Sequence, residues 1–250
     1  ALPAVALMST EEQKSTYLIS QMKNLYLRDI KNRYGLQDDV TIGEVLDVVA
    51  SGISSLTNPR NIANTMNSVH GGNNICDATV DRYITHMEDA FMINHVKRYD
   101  IKGRKYIGTP YKIYFEDIGL RNARLGFRQI EATHIMENII YNELRYRGYN
   151  VDVGVVEVRE KDKKTGKEIK KQLEIDFVAY IGSKKYYIQS AYAINDEEKK
   201  AQETRSFDKA GDSFKKIVVV KDNIIPWHDD DGILYIGIEQ FLLDENAMDM

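Results

Sequence analysis

The chain has 250 residues, of which 43% are hydrophobic and 29% are charged, and its formal net charge is −4 at pH 7. These totals are ordinary for a soluble globular protein, and they exclude binding to nucleic acid or anionic membranes through overall charge, so any such binding needs a local patch. The single Cys76 excludes an internal disulfide framework and favours a reducing, cytoplasmic location.

The N-terminal stretch ALPAVALMST is apolar but short, and no apolar run reaches the roughly 20 residues that a membrane span needs. Because the stretch lacks a basic region, we do not interpret it as a signal peptide. The sequence does not begin with Met, and we expect a fragment that starts in mid-fold, with processing of the N-terminus as the alternative. Apolar residues then recur at helical spacing from Glu11 to Tyr34, and Gly35 is a suitable stop.

A series of short helices is predicted between Thr41 and Phe91, one of them opening with Pro59 at its first position. After Phe91 the hydrophobic period changes to strict alternation, and Lys102-Gly103 marks the turn of a β-hairpin. Short helices followed by a hairpin form the pattern of a winged helix.

The predicted hairpin tip is basic, because it carries Lys97, Arg98, Lys102, Arg104 and Lys105. A wing that binds DNA contacts phosphates at this place. The preceding helix, which would face the bases, carries four acidic residues against one arginine, and these acids oppose DNA contact. A winged helix that packs against another protein is therefore the alternative.

From Glu116 onward the patterns predict a mixed α/β region. A long helix covers Gln129 to Gly148, a strand covers Val151 to Glu160, and a charged, solvated loop covers Lys161 to Lys171. Two apolar strands then form a hairpin within Leu173–Tyr192. A helix that we expect to be capped by Asn195, the apolar strand KKIVVV, a last strand and a closing helix complete the chain.

Two polar residues, Asp176 and Gln189, interrupt the apolar strands of this hairpin. With Gly182-Ser183 as the loop, they lie opposite each other with Cβ atoms about 5 Å apart. Glu137, at the edge of the buried stripe of the long helix, is a third candidate for the same cluster. Oxygen ligands in this arrangement suit a hard divalent cation such as Mg²⁺ or Mn²⁺. The alternative is that the acids pair with Arg, Lys or backbone N–H groups.

The order of a helix Glu in MEN, a strand Asp in EIDF and a Gln in IQSA resembles the PD-(D/E)XK, or restriction-endonuclease-like, superfamily. The segments PYKIYFEDIGLRNARLG and HIMENIIYNELRYRGYNVDVG resemble, more broadly, the uncharacterised C-terminal domain found behind AAA-type ATPase modules in many bacterial and archaeal proteins. A winged helix precedes the nuclease-like domain in those proteins. The implied fold class is α/β (α+β), with a helical winged-helix segment before a mixed sheet flanked by helices.

The resemblance implies three regions. Residues 1–40 would be the helical tail of an ATPase module, residues 41–115 a winged-helix domain, and residues 116–250 a PD-(D/E)XK nuclease-like domain. No G-x-x-x-x-G-K-[ST] motif, which cradles nucleotide phosphates, occurs in the sequence. ATP binding is therefore expected only through an N-terminal ATPase module, which would be the chain's own partner.

The resemblance also places Glu137, Asp176 and Gln189 at the catalytic positions, with Glu137 and Asp176 as metal ligands. Active members carry Glu-x-Lys on the second strand, where this sequence has Gln189 and Ala191. The missing lysine would position the attacking water and stabilise charge, and the loss of one such contact costs about 10²–10³ in rate. Lys199 or Lys200, from the next helix, is a candidate substitute.

These departures lead us to expect the regulatory and binding region of a AAA-type ATPase, with a degenerate nuclease-like domain and a winged helix for protein or DNA contact. The alternative function is a metal-dependent DNA nuclease that uses Mg²⁺ or Mn²⁺ in an atypical site. A third interpretation treats Glu137 and Asp176 as residues that stabilise the fold by hydrogen bonds to backbone or to Arg205.

Overall fold

The computed structural model describes residues 2–36, 39–70, 75–161, 166–194 and 196–250. The chain divides into two compact units. Unit 1 comprises Ala1–His95 and Pro110–Asn138, and unit 2 comprises Val96–Thr109 and Ile139–Met250. These limits differ from the predicted domain boundaries near residues 40 and 115, which stay a prediction.

Unit 1 is mostly helical. Its elements are α1 (Pro3–Ala6), α2 (Glu11–Gln21), a π-helical segment (Met22–Leu27), α3 (Arg28–Tyr34), α4 (Asp39–Ser51), α5 (Pro59–His70), α6 (Asp77–Asp89), α7 (Ile118–Arg124) and the start of α8 (Ala132–Tyr146). Gly35 ends α3 with a φ of 61°, which confirms the predicted stop. Pro59 opens α5 as predicted, and the Asn58 side chain accepts a hydrogen bond from the N–H of Asn61 at 2.8 Å.

The apolar faces of α4, α5 and α6 form the core of unit 1. Ile42, Ile62 and Val80, one from each helix, are at most 2% exposed. α6 ends at Asp89, and Phe91, with a φ of 54°, lies outside the helix and is exposed.

The strands confirm the expected mixed α/β class. They are β1 (Ile93–Asp100), β2 (Lys105–Phe115), β3 (Asn150–Lys161), β4 (Glu168–Ile181), β5 (Lys184–Ala191), β6 (Lys215–Val220), β7 (Trp227–His228) and β8 (Leu234–Gly237). Within the described residues they form one eight-stranded sheet in the order β2-β1-β3-β4-β5-β6-β8-β7. β6 pairs in parallel with both β5 and β8, and its last four residues are buried, as the apolar run predicted.

Within residues 161–171, which the sequence predicts to be a loop, five of the seven described residues lie in strands. Lys161 pairs with Glu168, and only residues 162–165 lie outside the described part. Charged side chains are compatible with this exposed ribbon because ion pairs form diagonally across it, although Arg159 lies directly opposite Lys170. Lys170 Nζ, for example, lies 2.9 Å from Glu157 Oε1.

The β4–β5 hairpin has the predicted register. Phe177 pairs with Ile188, Ile181 pairs with Lys184, and Gly182-Ser183 forms the two-residue loop. Gly182 has a φ of 56°, a conformation that glycine adopts easily. This register places Asp176 and Gln189 on adjacent strands.

Unit 2 is completed by the rest of α8, by α9 (Glu197–Ala210), by α10 (Ile238–Leu243) and by a 3₁₀ turn (Ala247–Asp249). The Asp196 side chain caps α9 by accepting a hydrogen bond from the N–H of Lys199 at 2.7 Å. Asn195, the cap that the sequence predicts, lies outside the described residues. None of the described helices is both long and apolar enough to cross a membrane.

Candidate functional site

Asp176 and Gln189 are brought together by the β4–β5 hairpin. Asp176 is 7% exposed, and its Oδ2 accepts a hydrogen bond from the N–H of Ser190 at 2.9 Å. The side-chain oxygen of Gln189 accepts a hydrogen bond from the N–H of Asp176 at 3.4 Å. Both side chains are thus bonded to the backbone of the opposite strand, and they hold the two strands in register at this point.

The two positions where active nucleases carry Glu and Lys have different chemistry here. Gln189 is half-buried, and its amide oxygen is the acceptor of the backbone bond just described. Ala191 is 2% exposed and packs in an apolar cluster with Ile175, Val178 and Tyr187. The second strand therefore presents a neutral amide and a buried methyl group.

Glu137 lies on α8 in unit 1, where it is 7% exposed. Its Oε1 accepts hydrogen bonds from Lys112 Nζ at 2.8 Å and from the Tyr114 hydroxyl at 2.7 Å. Both donors lie on β2. The next residue, Asn138, bonds the N–H and the C=O of Phe115 at 2.7 and 2.8 Å, which fixes the helix against the strand. Glu137 is therefore held in a buried, charge-assisted network.

Lys112 is the functional candidate that sequence reasoning missed. Its side chain is only 4% exposed, and it lies within the buried run Tyr111–Phe115. A lysine among apolar strand residues needs an anion, since an unpaired buried ammonium is very costly. This interruption of the apolar run was the signal that a partner such as Glu137 must exist.

The two lysines predicted as substitutes for the missing catalytic lysine are engaged elsewhere. Lys199 Nζ lies 2.6 Å from Glu203 Oε1, one turn along α9. Lys200 Nζ lies 3.4 Å from Asp229 Oδ2 and 5.2 Å from the centre of the Trp227 ring. Each ammonium therefore has a local partner in unit 2.

Arg205, named as a possible partner for the acids, bonds Glu160 instead. Glu137 belongs to unit 1, whereas Asp176 and Gln189 belong to unit 2, and a metal site shared by Glu137 and Asp176 stays a prediction. Among the described residues, no group of three or more His, Cys, Asp or Glu side chains is arranged to hold a metal ion.

The hairpin that the sequence predicts after Phe91 is present as β1 and β2, and its role as the wing of a winged helix stays a prediction. Lys97, Lys102, Arg104 and Lys105 are exposed, and none of them forms an ion pair with another described residue. Arg98 differs from these four, because it is 6% exposed and its guanidinium bonds the side chain of Gln172. The cations that can meet a phosphate at this hairpin are therefore four rather than five.

Comparison with known proteins identifies relatives without a described function. The family model described as "Domain of unknown function (DUF8612)" matches residues 1–131. A Haemophilus influenzae protein described as "Uncharacterized protein" is 31% identical over 212 residues, which are 85% of this chain and 48% of that protein. "Uncharacterized protein MJ1544" of Methanocaldococcus jannaschii is 24% identical over 243 residues, which are 97% of this chain and 49% of that protein.

This chain thus spans about half the length of the curated relatives it matches. Among solved structures, "Crystal structure of protein VC1899 from Vibrio cholerae" aligns with a TM-score of 0.32 and 12% identity, covering 90% of this chain and 53% of that one. A similarity at this level does not bear on fold or function.

Proposed function

The chain belongs to the family described as a domain of unknown function (DUF8612), and from its own residues we propose that it is a non-catalytic binding and regulatory region. We propose further that it works beside the ATPase module of a longer protein and contacts nucleic acid through the wing. The partner module is supported by the family resemblance and by relatives about twice the length of this chain. The non-catalytic character is supported by the chemistry of the nuclease-like positions.

The observation that carries this proposal is the buried pair of Glu137 and Lys112. Glu137 Oε1 already accepts from an ammonium at 2.8 Å and a hydroxyl at 2.7 Å, and a cation that took this oxygen as its ligand would have to displace them. Breaking a buried ion pair costs about 3–5 kcal/mol. Gln189 adds no negative charge to offset that cost. These contacts favour a carboxylate that stabilises the fold over one that binds a catalytic metal.

Contact with nucleic acid is supported by the four exposed cations of the β1–β2 hairpin. Because they have no ion-pair partners among the described residues, phosphates can approach them without displacing a carboxylate. Binding through phosphates releases counterions, and log K falls with log salt with a slope of about −0.7 to −0.9 per neutralised phosphate. Four contacts therefore correspond to a slope of about −3 to −4.

A cleavage assay tests the non-catalytic part of the proposal. The chain is incubated with plasmid DNA and with Mg²⁺ or Mn²⁺, beside an Asp176→Ala variant. We expect no cleavage above the level of the variant. Metal-dependent cleavage that Asp176→Ala abolishes would overturn the proposal.

A binding assay tests the wing. We expect fluorescence anisotropy with labelled duplex and single-stranded oligonucleotides to show binding that weakens steeply between 50 and 200 mM salt. The variant Lys102→Glu/Lys105→Glu should lose binding at all salt concentrations. The matched control Lys209→Glu/Lys221→Glu, with the same charge change at two other exposed lysines of unit 2, should keep it. Equal binding by the two double variants, or no binding by the wild type at low salt, would contradict the role of the wing.

One observation favours the nuclease as a second candidate. Lys112 brings a lysine ammonium to 2.8 Å from Glu137 Oε1, one of the two predicted metal ligands. In a nuclease of this kind Lys112 would stabilise charge on the reacting phosphate. The same plasmid assay decides, because this candidate requires cleavage that both Lys112→Met and Asp176→Ala remove while circular dichroism shows each variant folded.

A further inference from the structure

A cavity of about 570 Å³ opens in unit 2 beside the wing hairpin. Its size falls within the range of small-molecule sites. The wall combines aromatic rings from three strands with charged side chains. The rings are those of Tyr99, Tyr106, Tyr180 and Phe214, the last of which directly precedes β6. The charged side chains include Arg104, Lys185 and Asp152.

The tyrosines of the cavity are held in place by one another and by Asp152. The Tyr106 hydroxyl lies 3.1 Å from Asp152 Oδ2 and 3.3 Å from the Tyr180 hydroxyl. The Tyr106 ring packs edge-on against Tyr99 with centroids 5.3 Å apart, yet Tyr106 remains 56% exposed. A fixed aromatic ring with a free surface is suited to stack against a planar ligand.

Two cations, Lys185 and Arg104, line the cavity, and the carboxylates of Asp152 and Asp212 attract Lys185 without forming an ion pair with it. The Lys185 ammonium lies 4.7 Å from the centre of the Phe214 ring and 5.6 Å from that of Tyr99, and burial lowers its pKa. Neither Lys185 nor Arg104 forms an ion pair with a described residue, whereas Lys184, at the same rim, is held by Asp249 at 2.6 Å. An anion entering the cavity would therefore find two available partners.

The same contacts exclude other ligand classes. A cationic ligand would normally be drawn to aromatic rings, but Lys185 already occupies their faces, and a second cation would meet its charge and that of Arg104. A purely apolar ligand would bury the charges of Lys185 and Asp152 without offering either of them a new polar partner. A ligand that combines a planar ring with an anionic group satisfies the rings and the cations together. The half-buried Asp152 carboxylate can then accept a hydrogen bond from a ring amino group.

We propose that this cavity binds a nucleotide, with the base stacked on Tyr106 and the phosphate paired with Arg104 and Lys185. The nucleotide is either free or part of a single strand. If the nucleotide is part of a single strand, the inference rests on the proposed contact of the wing with nucleic acid. A free nucleotide needs the cavity alone.

The test is a calorimetric titration of the full chain with adenosine monophosphate, adenosine, inorganic phosphate and a short oligoadenylate. We expect adenosine monophosphate to bind at least about tenfold more tightly than adenosine or phosphate, since each lacks one half of the ligand. Tyr106→Ala should weaken it roughly 5- to 150-fold, the range for losing one base–aromatic stack, while Tyr106→Phe keeps the ring and should weaken binding less than Tyr106→Ala does. Lys185→Met should also weaken binding.

Two control variants match these changes on the surface of unit 2. Tyr146→Ala removes a tyrosine that is 85% exposed, and Lys209→Met removes an exposed lysine; both should bind like the wild type. No binding of adenosine monophosphate, equal binding of inorganic phosphate, or equal affinities for Tyr106→Ala and Tyr146→Ala would each overturn the proposal.

The outcomes also separate the cavity from the wing. One outcome is that labelled DNA binds to the wild type but not to Lys102→Glu/Lys105→Glu, and that adenosine monophosphate does not bind. In that case the cavity proposal fails and the wing function stands. If adenosine monophosphate binds in the expected variant pattern but oligonucleotides do not, the cavity proposal stands with the free nucleotide as its source, and the wing function fails.

Discussion

Replacing Lys112 by methionine tests whether the buried pair with Glu137 stabilises unit 1. The substitution keeps a long, unbranched side chain but removes the ammonium. The wild-type ammonium is 2.8 Å from Glu137 Oε1, and the two side chains are 4% and 10% exposed. In the variant, Glu137 keeps the Tyr114 hydroxyl at 2.7 Å but loses the ammonium of Lys112.

The magnitude follows from burial rather than from distance. Removing one partner of a buried ion pair leaves an uncompensated charge and costs about 3–5 kcal/mol. The chain contains a matched control at the same distance on the surface, because Lys170 Nζ lies 2.9 Å from Glu157 Oε1 with side chains 66% and 42% exposed. An exposed pair of this kind contributes about 0–1 kcal/mol. We therefore expect Lys112→Met to cost several times as much as Lys170→Met.

Urea denaturation of the full chain measures both variants. Circular dichroism follows all the helices, and the fluorescence of Trp227, the single tryptophan, reports from unit 2. Recording both signals shows whether the two units unfold in one transition, which decides whether a single free energy of unfolding can be fitted. The free energies are compared only at equal m-values.

A decrease of less than about 1 kcal/mol in the free energy of unfolding of Lys112→Met would refute a special role of burial, because an exposed ion pair contributes as much. The double variant Lys112→Met/Glu137→Met provides a second check. Because it leaves no unpaired charge between these two positions, its cost should be lower than the sum of the two single costs. Additivity within about 0.5 kcal/mol would show that the two side chains are not coupled.

Three further substitutions test other parts of the fold and the cavity. Asn138→Ala should destabilise the chain by about 2–4 kcal/mol in urea denaturation. The substitution removes two hydrogen bonds and leaves the buried N–H and C=O of Phe115 without that partner. A cost below about 1 kcal/mol would contradict this expectation. Gly154→Ala should cost about 1–3 kcal/mol, since its Cβ would lie 2.9 Å from two side-chain atoms of β4, whereas Gly108→Ala, with nothing within 4 Å, should be tolerated. Burial raises the pKa of the Asp152 carboxyl group, so the folded state binds its proton more tightly than the unfolded state does. The contribution of Asp152 to stability therefore decreases as the pH rises from the ordinary pKa of about 3.9 through the raised value. Asp152→Asn should therefore increase stability relative to the wild type at pH 7, with the difference shrinking below about pH 4; a lower melting temperature of the variant at pH 7 would refute that sign.

Much of the local structure could be predicted from neighbouring residues. Pro59 at the start of α5 and Gly35 at the end of α3 act through their own backbone preferences. The two-residue loop Gly182-Ser183 fixes the register of the β4–β5 hairpin, and with it the meeting of Asp176 and Gln189. The spacing of apolar residues also predicted the mixed α/β class, because helices and strands each have a characteristic apolar period that can be read within one element.

The errors concern contacts that the local sequence does not contain. The segment from Lys161 to Lys171 looked like a loop because it is charged, but its described strand residues form diagonal ion pairs with β3 once the strands pair. Arg98 looked like a surface cation beside Lys97, and its burial against Gln172 depends on a strand 74 residues away in sequence.

The sequence by itself therefore determined the helices, the hairpins and the substitution of a neutral amide and a methyl group at the nuclease-like positions. Only the tertiary structure decided how the charged groups are used. It paired Lys112 with Glu137, 25 residues away, and it brought Tyr106 to Asp152, 46 residues away. The physical reason is that propensity and periodicity act within a few residues, whereas the partner of a buried charge is set by the packing of distant strands and helices.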